Sequence, residues 1–136
     1  MSPPCDLGGR GVLVTRPEGQ AHGLCRLIEA AGGRPVPFPG IRILPAADLE
    51  QARGLLAGRA DLLVFVSGNA VSHGLPLFPG GRLPGGPRLA ALGAATARAL
   101  AAAGRAPDLV PQGRYDSESL LALPELQDLR GCLLYT

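Results

Sequence analysis

The sequence has no lysine and no tryptophan; all 13 of its basic residues are arginine. Without lysine there is no Schiff-base amine and no P-loop lysine. Two Tyr and three Phe are the entire aromatic complement, so an aromatic platform for stacking nucleic-acid bases is nearly absent. Thirteen Arg against 11 acids leave a net charge of +2, too small and too dispersed to mark a nucleic-acid groove. Only two histidines are present, His22 and His73, and neither has a ligand partner at metal spacing. Neither a Ser/His/Asp nor a Cys/His arrangement can be built around them. An enzyme with this composition is expected to work by positioning and electrostatics rather than by a strong nucleophile.

Cysteine is equally sparse. Cys5, Cys25 and Cys132 are odd in number and far apart, with no Cys-x-x-Cys pair. Cys25 falls on the apolar face of a predicted helix and Cys132 in a predicted strand, so buried reduced thiols are expected. The N-terminus lacks a basic-then-apolar signal pattern, and no apolar run approaches membrane-spanning length. A soluble cytoplasmic protein without metal or cofactor, nucleic-acid partner or membrane association is the expectation.

What is abundant is apolar residues, Gly and Pro: 46% hydrophobic, with 20 Gly and 14 Pro in 136 residues. That is enough for a core in one ordinary domain length. Much of the Gly and Pro punctuates regular elements. Gly11–Thr15 reads as a short buried strand. Apolar residues at Ala21, Leu24, Cys25, Leu27, Ile28 and Ala31 have the spacing of one helix face, and Gly32-Gly33 stops that helix. The prolines of residues 35–45 make a poor central strand and predict an extended connector. Asp48 caps a helix to about Gly58 with Leu49, Ala52, Leu55 and Leu56 inward. Asp61-Leu-Leu-Val-Phe-Val66 is a strand, followed by a helix over Asn69–Gly74 and a Gly/Pro-rich loop over 76–87. Arg88–Leu92 is a strand, Gly93–Thr96 opens an alanine-rich helix ending at Gly104, and Asp108–Pro111 is a short strand. Asp116 or Ser117 caps a further helix, and Gly131–Thr136 reads as a last strand. Such alternation predicts an α/β fold with parallel sheets flanked by helices. The chain stops inside an apolar strand with no helix after it, so residues 1–136 are expected to be part of a longer chain.

Ligands of open parallel sheets bind beyond the carboxyl ends of the strands. Three ends here share one chemistry: Thr15-Arg16-Pro17, Ser67-Gly68-Asn69-Ala70 and Gly93-Ala94-Ala95-Thr96. Each offers small residues and backbone N–H groups at a helix start, suited to carboxylates or phosphates, and Arg16 adds a charge-assisted contact. Taken singly, Ser67, Asn69 and Thr96 also read as plain helix N-caps and Arg16 as a solvated charge. Gly8-Gly9-Arg10-Gly11 precedes its strand and is not a dinucleotide fingerprint. Strand ends without acids exclude a phosphoacceptor receiver domain. A non-catalytic α/β module binding a small anionic metabolite would share this strand-end chemistry.

Val12-Leu-Val-Thr-Arg-Pro17, Asp61–Val71 (DLLVFVSGNAV), Ala91-Leu-Gly-Ala-Ala-Thr-Ala97 with Leu100 and Gly104, and Tyr115-Asp-Ser-Glu-Ser-Leu-Leu121 occur in an order and spacing that resembles the uroporphyrinogen-III synthase family. The resemblance implies two α/β lobes joined by a two-stranded linker, with the active site in the cleft between them. Residues 1–36 would open a discontinuous first lobe, 37–45 would be linker, and 46–136 most of the second lobe, the fold being incomplete here. It further implies cyclisation of hydroxymethylbilane, a linear tetrapyrrole polycarboxylate, by a cofactor-free enzyme that is monomeric at full length. Loss of the terminal hydroxyl as water gives an azafulvene, and ring D is inverted through a spiro intermediate. Thr15, Arg16, Ser67, Gly68, Asn69, Ala70, Gly93, Ala95 and Thr96 would hold substrate carboxylates. No catalytic residue is assigned. Tyr115 and Tyr135 do not match the motif of the family's tyrosine that assists hydroxyl departure. The segment by itself is expected to be inactive.

Overall fold

A computed structural model describes residues 5–135. The chain divides into two compact units, Met1–Pro45 and Ala46–Thr136.

Unit 1 is a strand–helix–strand element: β1 (Gly11–Val14), α1 (Glu18–Ala30) and β2 (Arg34–Pro37), the strands paired in parallel. The helical spacing read from the sequence turns Ala21 and Ile28 onto β1, where they bury with Val14 beside Leu7, Val12 and Cys25. Leu24 and Leu27 share the apolar stripe yet remain exposed, Leu27 at 69%, because the helix face is wider than a two-stranded sheet can cover. The two glycines after the helix act differently. Gly32 takes the left-handed conformation (φ +71°), whereas Gly33 gives close packing: a Cβ there would lie 2.6 Å from Leu7 Cδ1.

The extended connector expected from residue 35 begins instead as β2. Its prolines are compatible with pairing because a strand alternates its N–H groups between its two edges. Arg34 donates to Arg10 O and Phe38 to Val14 O, each at 2.8 Å. Pro35 and Pro37, one residue out of phase, direct their N atoms to the other edge, where no donor is needed for this pairing. The same prolines deny that edge to a further strand.

Unit 2 runs α2 (Leu49–Ala57), β3 (Leu62–Phe65), α3 (Gly68–Gly74), β4 (Arg88–Ala91), α4 (Ala94–Ala102), α5 (Ser117–Leu121) and β5 (Leu134–Tyr135). Its three strands are parallel in the order β4-β3-β5. The uninterrupted apolar run of β3 is explained by burial on both faces. Leu63, Phe65, Leu89 and Ala91 pack with Val71, Phe78 and Leu100 on one side. Leu62 and Ala90 pack with Leu109, Leu120 and Leu126 on the other.

Several expectations are corrected. Asp48 does cap α2, accepting from Gln51 N–H at 3.1 Å, but the inner face is narrower than predicted: Leu49, Ala52 and Leu56 are half-buried and Leu55 is exposed. Residues 108–111 form no strand; Leu109 makes a single bridge to Ala90. The reason is Asp108, whose Oδ2 accepts from Leu89 N–H at 2.7 Å and from Arg105 at 3.2 Å, replacing a ladder bond with a side-chain bond. Arg105 also donates to Pro84 O and, at 2.7 Å, to Pro87 O, so one guanidinium anchors the Gly/Pro-rich loop. The last strand is shorter than 131–136, and Thr136 lies outside the described residues. Cys132 precedes that strand and is exposed, as is Cys5, so the expected burial fails there, while Cys25 is half-buried against the Val14 cluster; all three are free thiols. Among the described residues no helix is long and apolar enough to cross a membrane.

Asp61 holds β5 in place. Its N–H donates to Leu133 O at 2.8 Å and its Oδ2 accepts from Leu133 N–H at 3.0 Å. The Leu133 amide, and after it the Arg59 side chain, holds the Asp61 carboxyl below the usual 3.8. A depressed carboxylate contributes stability above its unfolded pKa and loses it as pH falls through the folded value. Protection of the Leu133 amide from hydrogen exchange, corrected for intrinsic rate, should therefore be full above about pH 5 and decline progressively below pH 3.8. Asp61→Asn should abolish that pH dependence; an unchanged profile in the variant would contradict the assignment.

Candidate functional site at the strand ends of unit 2

Parallel pairing of β3 with β4, with Phe65 opposite Ala91, brings two of the predicted strand ends to one edge of the sheet. Leu92 N–H donates to Phe65 O at 3.0 Å and ties the ends together. From this edge α3 and α4 start side by side and pack on each other.

The two helix starts differ. Ser67 is extended and its Oγ accepts from Ala70 N–H at 3.1 Å, so α3 carries a side-chain cap of its own. Gly93, also extended, has no side chain with which to cap α4. The first-turn amides of Ala94, Ala95 and Thr96 have no carbonyl four residues earlier in the helix. The Ser67 hydroxyl takes one first-turn amide of α3, whereas no side chain caps α4, so the α4 mouth is the more open to an outside acceptor, with the helix dipole in its favour.

Ser67, Gly68, Asn69, Ala70 and Gly93, all predicted for the site, are half-buried along this edge, and Ala95 is exposed. Asn69 is not an N-cap; it lies inside the first turn of α3. Thr96 is corrected on two counts: it lies within α4 rather than capping it, and its side chain is buried at 4% exposure, so only its amide belongs to the mouth. Gly68 is not demanded by space, since nothing lies within 4 Å of where its Cβ would be. Thr15 and Arg16 follow β1 and so belong to unit 1, where both are exposed. Thr15 O accepts from Gly40 N–H at 3.1 Å, and Arg16 lines a cavity of about 590 Å³ with His22, Cys25, Pro37 and Pro39.

Sequence reasoning quoted Tyr115 in a motif and denied it the role in hydroxyl departure, but gave it no place in the site. Its Cβ and Cγ lie 3.4 and 3.6 Å from the position a Cβ would take on Gly93, so this glycine lets the tyrosine settle against the β4 end. Asp116, next along, caps α5 by accepting from Ser119 N–H at 2.8 Å and pairs with Arg114 Nε at 2.9 Å. The Ser119 hydroxyl and amide, followed by Arg114, hold its carboxyl below 3.8. The available signal was position: Tyr115 opens the Tyr115–Leu121 motif immediately before the capping aspartate. Among the described residues no three His, Cys, Asp or Glu side chains gather in a way that could hold a metal.

The arrangement sets first-turn backbone amides beside exposed apolar side chains, which is suited to an anion with a partly apolar body. Residues 23–134 match the family model described as uroporphyrinogen-III synthase HemD. The uroporphyrinogen-III synthase of Escherichia coli (strain K12) is 36% identical over 124 residues, covering 88% of this chain and 50% of the relative. That of Salmonella typhimurium (strain LT2) is 33% identical with the same coverage. A crystal structure of uroporphyrinogen III synthase from the extremely thermophilic bacterium Thermus thermophilus superposes with a TM-score of 0.51 at 27% identity, covering 83% of this chain and 46% of that one. The chain thus spans about half the length of the curated relatives it matches, with an α/β fold of the same kind. It belongs to the uroporphyrinogen-III synthase family.

Proposed function

We propose that this chain serves the cyclisation of hydroxymethylbilane to uroporphyrinogen III, with loss of water and inversion of ring D, and that the strand ends of unit 2 hold substrate carboxylates. The observation that carries the reading is the side-by-side opening of α3 and α4 at one sheet edge, with the α4 mouth uncapped, in a member of this family. A substrate bearing acetate and propionate arms presents the acceptors such amides lack. Its reaction asks for departure of a hydroxyl as water and for control of which carbon of the last ring attacks. Both can be served by holding the arms and orienting the rings, without a nucleophile or cofactor. The strand-end residues of unit 1, Thr15 and Arg16, are proposed as further carboxylate contacts. A cytoplasmic location and a monomeric full-length protein belong to the same proposal.

Residues 1–36 are proposed as the opening of a discontinuous lobe, 37–45 as linker and 46–136 as most of a second lobe. Leu13 and Val36 support this: they are register partners in β1 and β2 and both are exposed, an apolar pair that another layer would cover. Because the chain spans half of its relatives, we assign residues 1–136 binding without turnover. Supplied with hydroxymethylbilane, the 136-residue chain should leave the product ratio at that of the spontaneous, uninverted macrocycle. Titration with uroporphyrin, the oxidised and stable form of the product, should nevertheless show saturable binding that simple organic phosphates do not compete away. Inverted product at enzymatic rates would overturn the assignment of inactivity, and absence of uroporphyrin binding would overturn the site.

A further inference from the structure

We propose that Tyr115 is a positioning residue of this site, its ring forming a flat wall on which one pyrrole ring of the tetrapyrrole stacks while that ring's carboxylate arm reaches the amides at the start of α4. The inference rests on the tetrapyrrole reading above and goes beyond it by naming what would hold the apolar body of the ligand. Helix-mouth amides recognise only the arms; they do not distinguish a pyrrole carboxylate from any other small acid. Something apolar beside them has to supply that difference.

Tyr115 meets the requirement in three ways. It is exposed where its kind is not: Phe65 and Phe78 are buried in the core of unit 2, while Tyr115 is 56% exposed, and it alone among the described aromatic side chains of this unit is so. Its inner end is seated on Gly93, the residue that starts α4, with Cβ, Cγ and Cδ1 all within 3.9 Å of the missing Cβ. The inner edge of the ring thus lies against the N-cap residue of α4, one position before Ala94. Its backbone is also held on the C-terminal side, because the Asp116 carboxylate is fixed both by Ser119 N–H and by Arg114. An aromatic ring on a fixed backbone offers contact area at low conformational-entropy cost. Val66, at the end of β3 on the same sheet edge, is 52% exposed and adds a second apolar surface next to Ser67. Exposed apolar side chains thus adjoin both helix starts in sequence, and a flat ring carrying acid arms calls for both kinds of contact.

The test compares uroporphyrin binding to the 136-residue chain and to Y115F, Y115L and Y115A. Y115F should bind within about twofold of the parent, since the ring carries the contact. Y115L and Y115A should bind about three- to tenfold more weakly, as expected when one aromatic stacking partner is removed. The Tyr115 ring protons should shift upfield on addition of uroporphyrin, as protons over a porphyrin face do; a purely structural tyrosine would not show this. Equal binding by all four proteins, or a loss in Y115F as large as in Y115A, would overturn the stacking role while leaving the site itself intact. Failure of the unsubstituted chain to bind uroporphyrin would remove the tetrapyrrole reading and this inference with it.

Discussion

Leu100→Ala should destabilise unit 2 by about 2–5 kcal/mol, the range for truncating a fully buried leucine. Leu100 is 0% exposed, and it is the single large apolar side chain of α4, whose other residues are alanine, Thr96 and Arg98. An alanine helix forms readily but has little with which to grip a sheet. Here the grip is Leu100 against Leu89, Ala91, Val71 and Phe78, with Thr96 buried one turn earlier. The cavity left by truncation would be lined by β-sheet and α3 side chains already committed to other neighbours, so little collapse can offset it. Chemical denaturation followed by far-UV circular dichroism should show the loss. Site-resolved hydrogen exchange should place it in α4, β4 and α3. Amides of α1, which buries into a separate cluster around Val14 and Ile28, should keep their protection. A loss below about 1 kcal/mol would mean that α4 is held by something other than this side chain. The consequence for the site is direct: α4 carries the uncapped amides, so any loosening of Leu100 displaces them.

Much of this was legible in the residues because the signals were periodic. The run Leu62–Val66 and the 21/25/28 spacing specify a buried strand and a helix face whatever surrounds them, and both are found. The capping aspartate at 48 was legible for the same local reason, a carboxylate three residues before an unpaired amide, while at the later helix the sequence left Asp116 and Ser117 as alternatives and Asp116 is the cap. What was not legible depended on a partner distant in sequence. Proline at 35 and 37 argues against a strand until one knows which edge pairs, a fact held by β1 more than 20 residues earlier. Asp108 looked like the start of a strand because its bond to Leu89 N–H, 19 residues away, has no local trace. At the candidate site, small residues after strands marked the ends of β3 and β4, which the parallel pairing sets side by side. The hydroxyl of Ser67 made its cap legible, but Asn69 and Thr96, read as caps too, lie inside their helices. The small residues could not reveal that Thr96 turns inward or that Tyr115, 22 residues on, comes to rest against Gly93.

The difference between an open and a self-capped helix start leads to the second large effect, Ala95→Asp. Ala95 is exposed in the first turn of α4, so the substitution meets no packing cost. A carboxylate there faces the positive end of the helix and should raise stability slightly, by about 0.3–1 kcal/mol. The same carboxylate would occupy the amides proposed for the substrate and repel its arms. Uroporphyrin affinity should then fall by about tenfold or more, the equivalent of roughly 1.4 kcal/mol for each substrate carboxylate that is displaced. Stability and binding would thus move in opposite directions, which separates this outcome from general damage to the fold. Ala95→Ser, neutral and nearly as small, should melt as the parent does and bind within about twofold of it. Isothermal titration with uroporphyrin beside thermal melting of the same three proteins measures both quantities. If Ala95→Asp melts higher and still binds uroporphyrin as the parent does, the α4 mouth is an ordinary helix start and the carboxylates are held elsewhere on the chain.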